Sequence, residues 1–171
     1  MPLPAPFLPV LHQLHAALRD RQILWVITGS AGFALRGLPF IPNDIDLQTD
    51  EAGAYALEAA LHEFVVQPVA FSGTERIRSH FGQLRMGGIK VEIMGDVQKL
   101  VNGRWQPPPN LAQHREWVPV DGLTLPVLSL AYEREAYAQM GRMETAVRLQ
   151  NWLEKQATAR KTPDDSTRHF P

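Results

Sequence analysis

Trp25-Val-Ile-Thr-Gly-Ser-Ala-Gly-Phe-Ala-Leu-Arg-Gly-Leu-Pro-Phe-Ile-Pro-Asn-Asp-Ile-Asp-Leu-Gln-Thr49 reads as a buried strand, a Gly-Ser turn, a short helix and a second strand. The run Ile23-Leu24-Trp25-Val26-Ile27 is short, apolar and uninterrupted, the pattern of a strand inside a core. Thr28-Gly29-Ser30 opens a helix, and Gly37-Leu38-Pro39 ends it, because the residue before a proline avoids helical backbone. Side chains alternate along a strand, so Asp44 and Asp46 project together while Ile45 and Leu47 face the other way. Two carboxylates side by side repel, and each raises the pKa of the other. A divalent cation removes that penalty, and Mg2+ is commonly held by one or two carboxylates together with substrate phosphates. The first amides of a helix attract anions, and Gly29 has no side chain to keep a phosphate away from the backbone.

A later strand adds a third acid. Gly87-Gly88 is a hairpin turn leading into Ile89-Lys90-Val91-Glu92-Ile93-Met94, where Glu92 sits among apolar neighbours. The order of parts resembles the nucleotidyltransferase superfamily related to DNA polymerase β. Its signature is an apolar residue, Gly-Gly or Gly-Ser, a spacer, and then Asp-apolar-Asp/Glu-apolar. Gly29-Ser30, residues 31–43 and Asp44-Ile45-Asp46-Leu47 follow that order, and Glu92 takes the place of the family's third carboxylate. The resemblance runs from about Leu24 to Met94. It implies an α+β fold, a small mixed β-sheet flanked by helices, with a helical pair at the C-terminal end.

The composition sets limits. With 171 residues, 44% of them hydrophobic, the chain is long enough to bury its own core. A formal net charge of −1 supplies no global basic field for nucleic acid, which favours a small-molecule or protein acceptor over RNA. Cysteine is absent, which excludes disulfides, thiolate zinc sites and cysteine nucleophiles. No apolar run reaches the length of a membrane span, and Met1-Pro-Leu-Pro-Ala-Pro-Phe7 lacks the basic start of a secretory signal. A cytoplasmic location is the expectation, with no membrane partner.

Outward from the motif, Leu8, Leu11, Leu14 and Leu18 recur at helical spacing, and His12 and His15 on that helix read as partly exposed rather than as a metal pair. Asp50 is placed to cap a helix whose buried stripe is Ala54, Leu57, Leu61 and Phe64. Val65–Val69 predicts a short strand that Pro68 assigns to an edge or an end. Arg76–Met86 is extended, without a clear buried face, and Val97–Val101 predicts a short helix with Asp96 as its cap. Gln106-Pro-Pro-Pro-Asn110 is a surface loop. Trp117–Val120 and Leu123–Pro126 flank an Asp121-Gly122 hairpin turn. Ser129 caps a helix reaching about Met140, Gly141 breaks it, and a last helix carries Ala146, Leu149 and Leu153. Residues 1–157 read as one nucleotidyltransferase-like domain and 158–171 as a disordered tail.

The resemblance implies transfer of a nucleoside monophosphate from a nucleoside triphosphate to a hydroxyl acceptor. Asp44, Asp46 and Glu92 are its expected metal ligands, for Mg2+ or Mn2+, and its expected catalytic acids. Gly29, Ser30 and Lys90 are expected to bind the triphosphate, with Arg36 and Arg85 as further basic candidates. The alternative is a binding module of the same fold without turnover, or an antitoxin-like protein with a toxin partner.

Overall fold

The computed structural model describes residues 3–161, so Met1, Pro2 and residues 162–171, most of the expected tail, lie outside the described residues. The chain divides into two compact units, Met1–Ser129 and Leu130–Pro171. The span 1–157 covers parts of both.

The first unit is a mixed sheet with helices. In chain order it holds α1 (Phe7–Leu18), β1 (Trp25–Thr28), α2 (Gly29–Leu35), β2 (Asp44–Thr49), α3 (Glu51–Ala60) and a 3-10 turn, His62–Phe64. There follow β3 (Val65–Gly73), β4 (Ile77–Met86), β5 (Ile89–Val101), β6 (Arg104–Trp105), α4 (Leu111–His114), β7 (Arg115–Val120) and β8 (Leu123–Leu128). The sheet runs β3-β4-β5-β2-β1-β8-β7, with the short β6 paired to β5. β2 is parallel to β5, and β1 is parallel to β8; the other pairs are antiparallel. The α+β fold implied by the sequence is the one observed.

Alternation decides which face is dry. Ile45 and Leu47 on β2, Val91 and Ile93 on β5, and Leu84 and Met86 on β4 are buried in one cluster with Leu11, Leu14 and Leu18 of α1 and Ala54 and Leu57 of α3. Asp44 and Asp46 of β2 and Lys90 and Glu92 of β5, which alternate with them, are only half-buried. All four residues of β1 are buried, in keeping with its place inside the core. Asp50 caps α3, accepting a hydrogen bond from the Gly53 amide at 2.6 Å.

Two stretches depart from the sequence reading: α3 ends at Ala60, so Leu61 and Phe64 of the expected stripe lie at its cap and in the 3-10 turn, and the segment from Asp96 to Val101 is not a capped helix. Val97–Val101 is not helical but the far half of β5, which pairs with β4 and β6. Asp96 adopts φ 49, the left-handed bend of a bulge, and not a helix cap. The pairing of β4 with β5 slips between Arg78 and His80, where Asp96 and Val97 of β5 stand opposite Ser79 alone. The buried positions of β4, Ser79 and then Gly82, Leu84 and Met86, follow no single alternation. The hairpin turns at Gly87-Gly88 and Asp121-Gly122 have the expected positive φ throughout, and Asn102-Gly103 adds a third such turn, before β6.

The second unit is a helical pair, α5 (Leu130–Gln139) and α6 (Met143–Lys161). Gly141, at φ 74, closes α5, with the Arg142 amide donating back to the Tyr137 carbonyl at 2.9 Å. α6 continues four residues beyond position 157. Among the described residues, no helix is long and apolar enough to cross a membrane.

The contact between α3 and the sheet is set by one missing side chain. A Cβ at Gly95 of β5 would lie 2.8 Å from both the Asp50 carbonyl oxygen and the Ala54 Cβ. Neither neighbour is the end of a flexible chain, so α3 would have to shift. Overpacking of this kind costs about 1–3 kcal/mol. Gly95→Ala should therefore lower the Tm by roughly 2–12 °C at the 2–4 °C per kcal/mol of a chain this size. A thermal melt unchanged within error would show that α3 yields freely.

Candidate active site

The site is assembled by strand pairing. β2 and β5 run parallel in a register that sets Asp44 beside Lys90 and Asp46 beside Glu92. All four residues belong to the face that the apolar positions do not use. The oxygens of Asp44, Asp46 and Glu92 come within 4.8 Å of one another, close enough to share a metal ion. Carboxylate oxygens are hard donors, the class that Mg2+ and Mn2+ prefer.

Lys90 lies inside this group. Its ammonium donates to Glu92 Oε1 at 2.7 Å and to Asp44 Oδ2 at 2.9 Å. Those bonds hold Lys90 charged, its pKa above the usual lysine value. Glu92 Oε1 also accepts from the Gln83 side-chain amide at 3.2 Å. Asp46 is in the opposite position. Burial first, then the charges of Asp44 and Glu92 and a hydrogen bond to Glu92, push its pKa up to about 7, against a smaller opposing pull from Lys90.

The Gly-Ser turn borders the same group. β1 is antiparallel to β2 and Thr28 pairs with Asp46, so the backbone after Thr28 runs alongside the Asp44 end of β2. Gly29 adopts φ 65, a left-handed conformation that a side chain would strain. Gly29 is buried and Ser30 half-buried. Two other basic candidates are held elsewhere. Arg36 binds Glu116 at 2.8 Å and the Leu128 carbonyl at 3.1 Å, linking the end of α2 to β7 and β8. Arg85 donates to the Gly88 carbonyl across its own hairpin. His12 pairs with Asp121 at 3.0 Å, tying α1 to the β7–β8 turn.

Gln83 is the residue that sequence reasoning missed. The signal was the Gly87-Gly88 turn. A two-residue turn fixes the register of the strands it joins, here Met86 with Ile89, and counting back from it sets Gln83 opposite Glu92.

With this geometry in place, known proteins give the context. A profile of the aminoglycoside-2''-adenylyltransferase family matches residues 10–151. The chain belongs to that family. It is thus a nucleotidyltransferase by descent, in keeping with the superfamily resemblance of its motif. TM1012 of Thermotoga maritima, described as a nucleotidyltransferase, is 47% identical, and the match covers 87% of this chain and 93% of that one with a TM-score of 0.76. ANT(2'')-Ia in complex with adenylyl-2''-tobramycin shares 13% identity at a TM-score of 0.54, covering 85% of this chain and 88% of that one. The lincosamide adenylyltransferase LnuA, with lincomycin bound, shares 10% at a TM-score of 0.51, covering 86% and 98%. At such identities these two likenesses concern the fold. No protein of curated function matches the chain.

The displaced pKa of Asp46 has a measurable sign. In metal-free protein the folded state holds the Asp46 proton more tightly than the unfolded state does. The resulting stability is fully present below about pH 4 and is lost as pH rises through about 7. Asp46→Asn stays neutral throughout. In chelator, the Tm of the variant minus that of the parent should be near zero at about pH 4 and should grow to roughly 8–16 °C by about pH 8. A difference that stays flat across this window would rule out a strained, proton-binding Asp46.

Proposed function

We propose that this protein moves a nucleoside monophosphate, with ATP as the favoured donor, onto a hydroxyl of a small molecule of the antibiotic type. The observation that carries the reading is the convergence of Asp44, Asp46 and Glu92 from two adjacent strands. The family name, the adenylylated tobramycin held by ANT(2'')-Ia and the lincomycin held by LnuA support the donor and the acceptor class. The antitoxin-like alternative draws no support from these relatives.

Asp44 and Asp46 fit the role of metal ligands, with Glu92 as a third. When bound, Mg2+ or Mn2+ supplies neutralising charge to the triphosphate and to the departing pyrophosphate. Glu92 accepts the proton of the acceptor hydroxyl, whose oxygen then bonds to the α-phosphorus. The bond from that phosphorus to the oxygen bridging to the β-phosphate breaks, and pyrophosphate leaves. Gln83 holds Glu92 Oε1 in place, and Lys90 shares that oxygen before nucleotide binds. Ser30 and the bare backbone at Gly29 flank the Asp44 end and receive the phosphates, and Lys90 offers them its charge.

The test is transfer of label from α-labelled ATP to a panel of aminoglycosides and lincosamides in the presence of Mg2+. Asp44→Asn and Asp46→Asn should abolish metal-dependent nucleotide binding as well as transfer. Glu92→Gln should lower kcat by about 10²–10⁴-fold, the usual weight of a general base, while nucleotide affinity falls much less. A protein that binds Mg2+ and ATP but labels none of the acceptors would favour the binding module. Equal nucleotide binding in Asp46→Asn would show that the site lies elsewhere.

A further inference from the structure

The ammonium of Lys90 and a metal ion have claims on the same atoms. Lys90 already occupies Asp44 Oδ2 and Glu92 Oε1, which belong to two of the three candidate ligands. A divalent cation seated among those carboxylates would face a like charge a few ångströms away, across a partly buried site where screening is weak. The two cannot both be held at full strength. Lys90 is also free to leave. Its side chain is 37% exposed, and it ends in a point charge on a flexible stem. Gln83, by contrast, can keep its bond to Glu92 whichever cation is present, because it is neutral.

We infer that Lys90 is a resident counter-ion of the three-carboxylate group, which resists metal in the absence of nucleotide and moves onto the phosphates when nucleotide arrives. This rests on the metal-dependent reading above and adds an order to it: metal and nucleotide load together. The physical account is charge balance. Without ligands, the ammonium is bonded to two of the three carboxylates. With metal alone, the ammonium is left without its partners. With metal and triphosphate, the phosphates give it new ones, and lysine is well suited to bind phosphate as a point charge. Lys90 therefore contributes to the coupling between the two ligands, and coupling of this kind is reciprocal: each ligand raises the affinity for the other by the same factor.

Calorimetric titration of the full chain with Mn2+, first alone and then with a non-hydrolysable ATP analogue, tests this. Without nucleotide, Lys90→Met should bind Mn2+ about tenfold more tightly or better, the direction set by removing a nearby like charge. At saturating Mn2+, the same variant should bind the analogue several-fold more weakly than the parent. Lys90→Gln, which keeps a polar group beside the carboxylates, should show both effects if the methionine variant folds poorly. Unchanged or weaker Mn2+ binding in both variants would overturn the counter-ion role. Unchanged affinity for the analogue would overturn the move onto phosphate. Asp46→Asn serves as the reference: if it binds Mn2+ as well as the parent does, the metal site itself is misassigned, whatever Lys90 does.

Discussion

The parallel pairing of β2 with β5 is the constraint on which the site depends. It forces Asp46 and Glu92 side by side, an arrangement that carboxylates avoid in water. Asp46 carries the cost: burial first, and then the charges of Asp44 and Glu92, disfavour its ionised form by on the order of 4 kcal/mol as its pKa moves from 3.8 to about 7. The same two strands supply the opposing term. Ile45, Leu47, Val91 and Ile93 are fully buried on the reverse face. Complete burial of such a side chain stabilises by about 1.5–3 kcal/mol. Hydrophobic burial on one face therefore outweighs the cost of a buried, crowded acid on the other. The acids stand on central strands of the sheet, where their separation cannot relax as it would on loops.

Much of this was legible in the chain, because it is encoded over short distances. Asp44-Ile45-Asp46-Leu47 declares its two faces by alternation, and Gly87-Gly88 announces a hairpin. The Gly29-Ser30 turn and the Asp50 cap are equally local. The parts that were not legible depend on partners distant in sequence. Val97–Val101 has no strong period of its own, and what makes it a strand is pairing with Ile77 and Arg78 on one side and Arg104 and Trp105 on the other. The Asn102-Gly103 turn was the local clue to that extension. Alternation places Lys90 on the face of Glu92, but its second contact is Asp44, on another strand, and nothing local sets the register of β5 against β2. Whether Lys90 serves phosphate or carboxylate is for that reason a question of three dimensions.

The same distinction separates the family from the chemistry. The fold survives in relatives at 10–15% identity. What tunes the site here lies in contacts between strands: Gln83 and Lys90 sharing one oxygen of Glu92, and Arg36 drawn away by Glu116.

The two outer strands of the sheet each carry a proline, Pro68 in β3 and Pro119 in β7. Proline has no amide hydrogen, so each rim is interrupted as a template for another strand. β3 needs the interruption most, since it is nine residues long, irregular in pairing, and exposes Val66 and Phe71. Its sequence would otherwise suit rim-to-rim stacking of one molecule on the next. The consequence concerns the behaviour of many copies rather than one: the two prolines remove amide donors from the rims at which another sheet would pair.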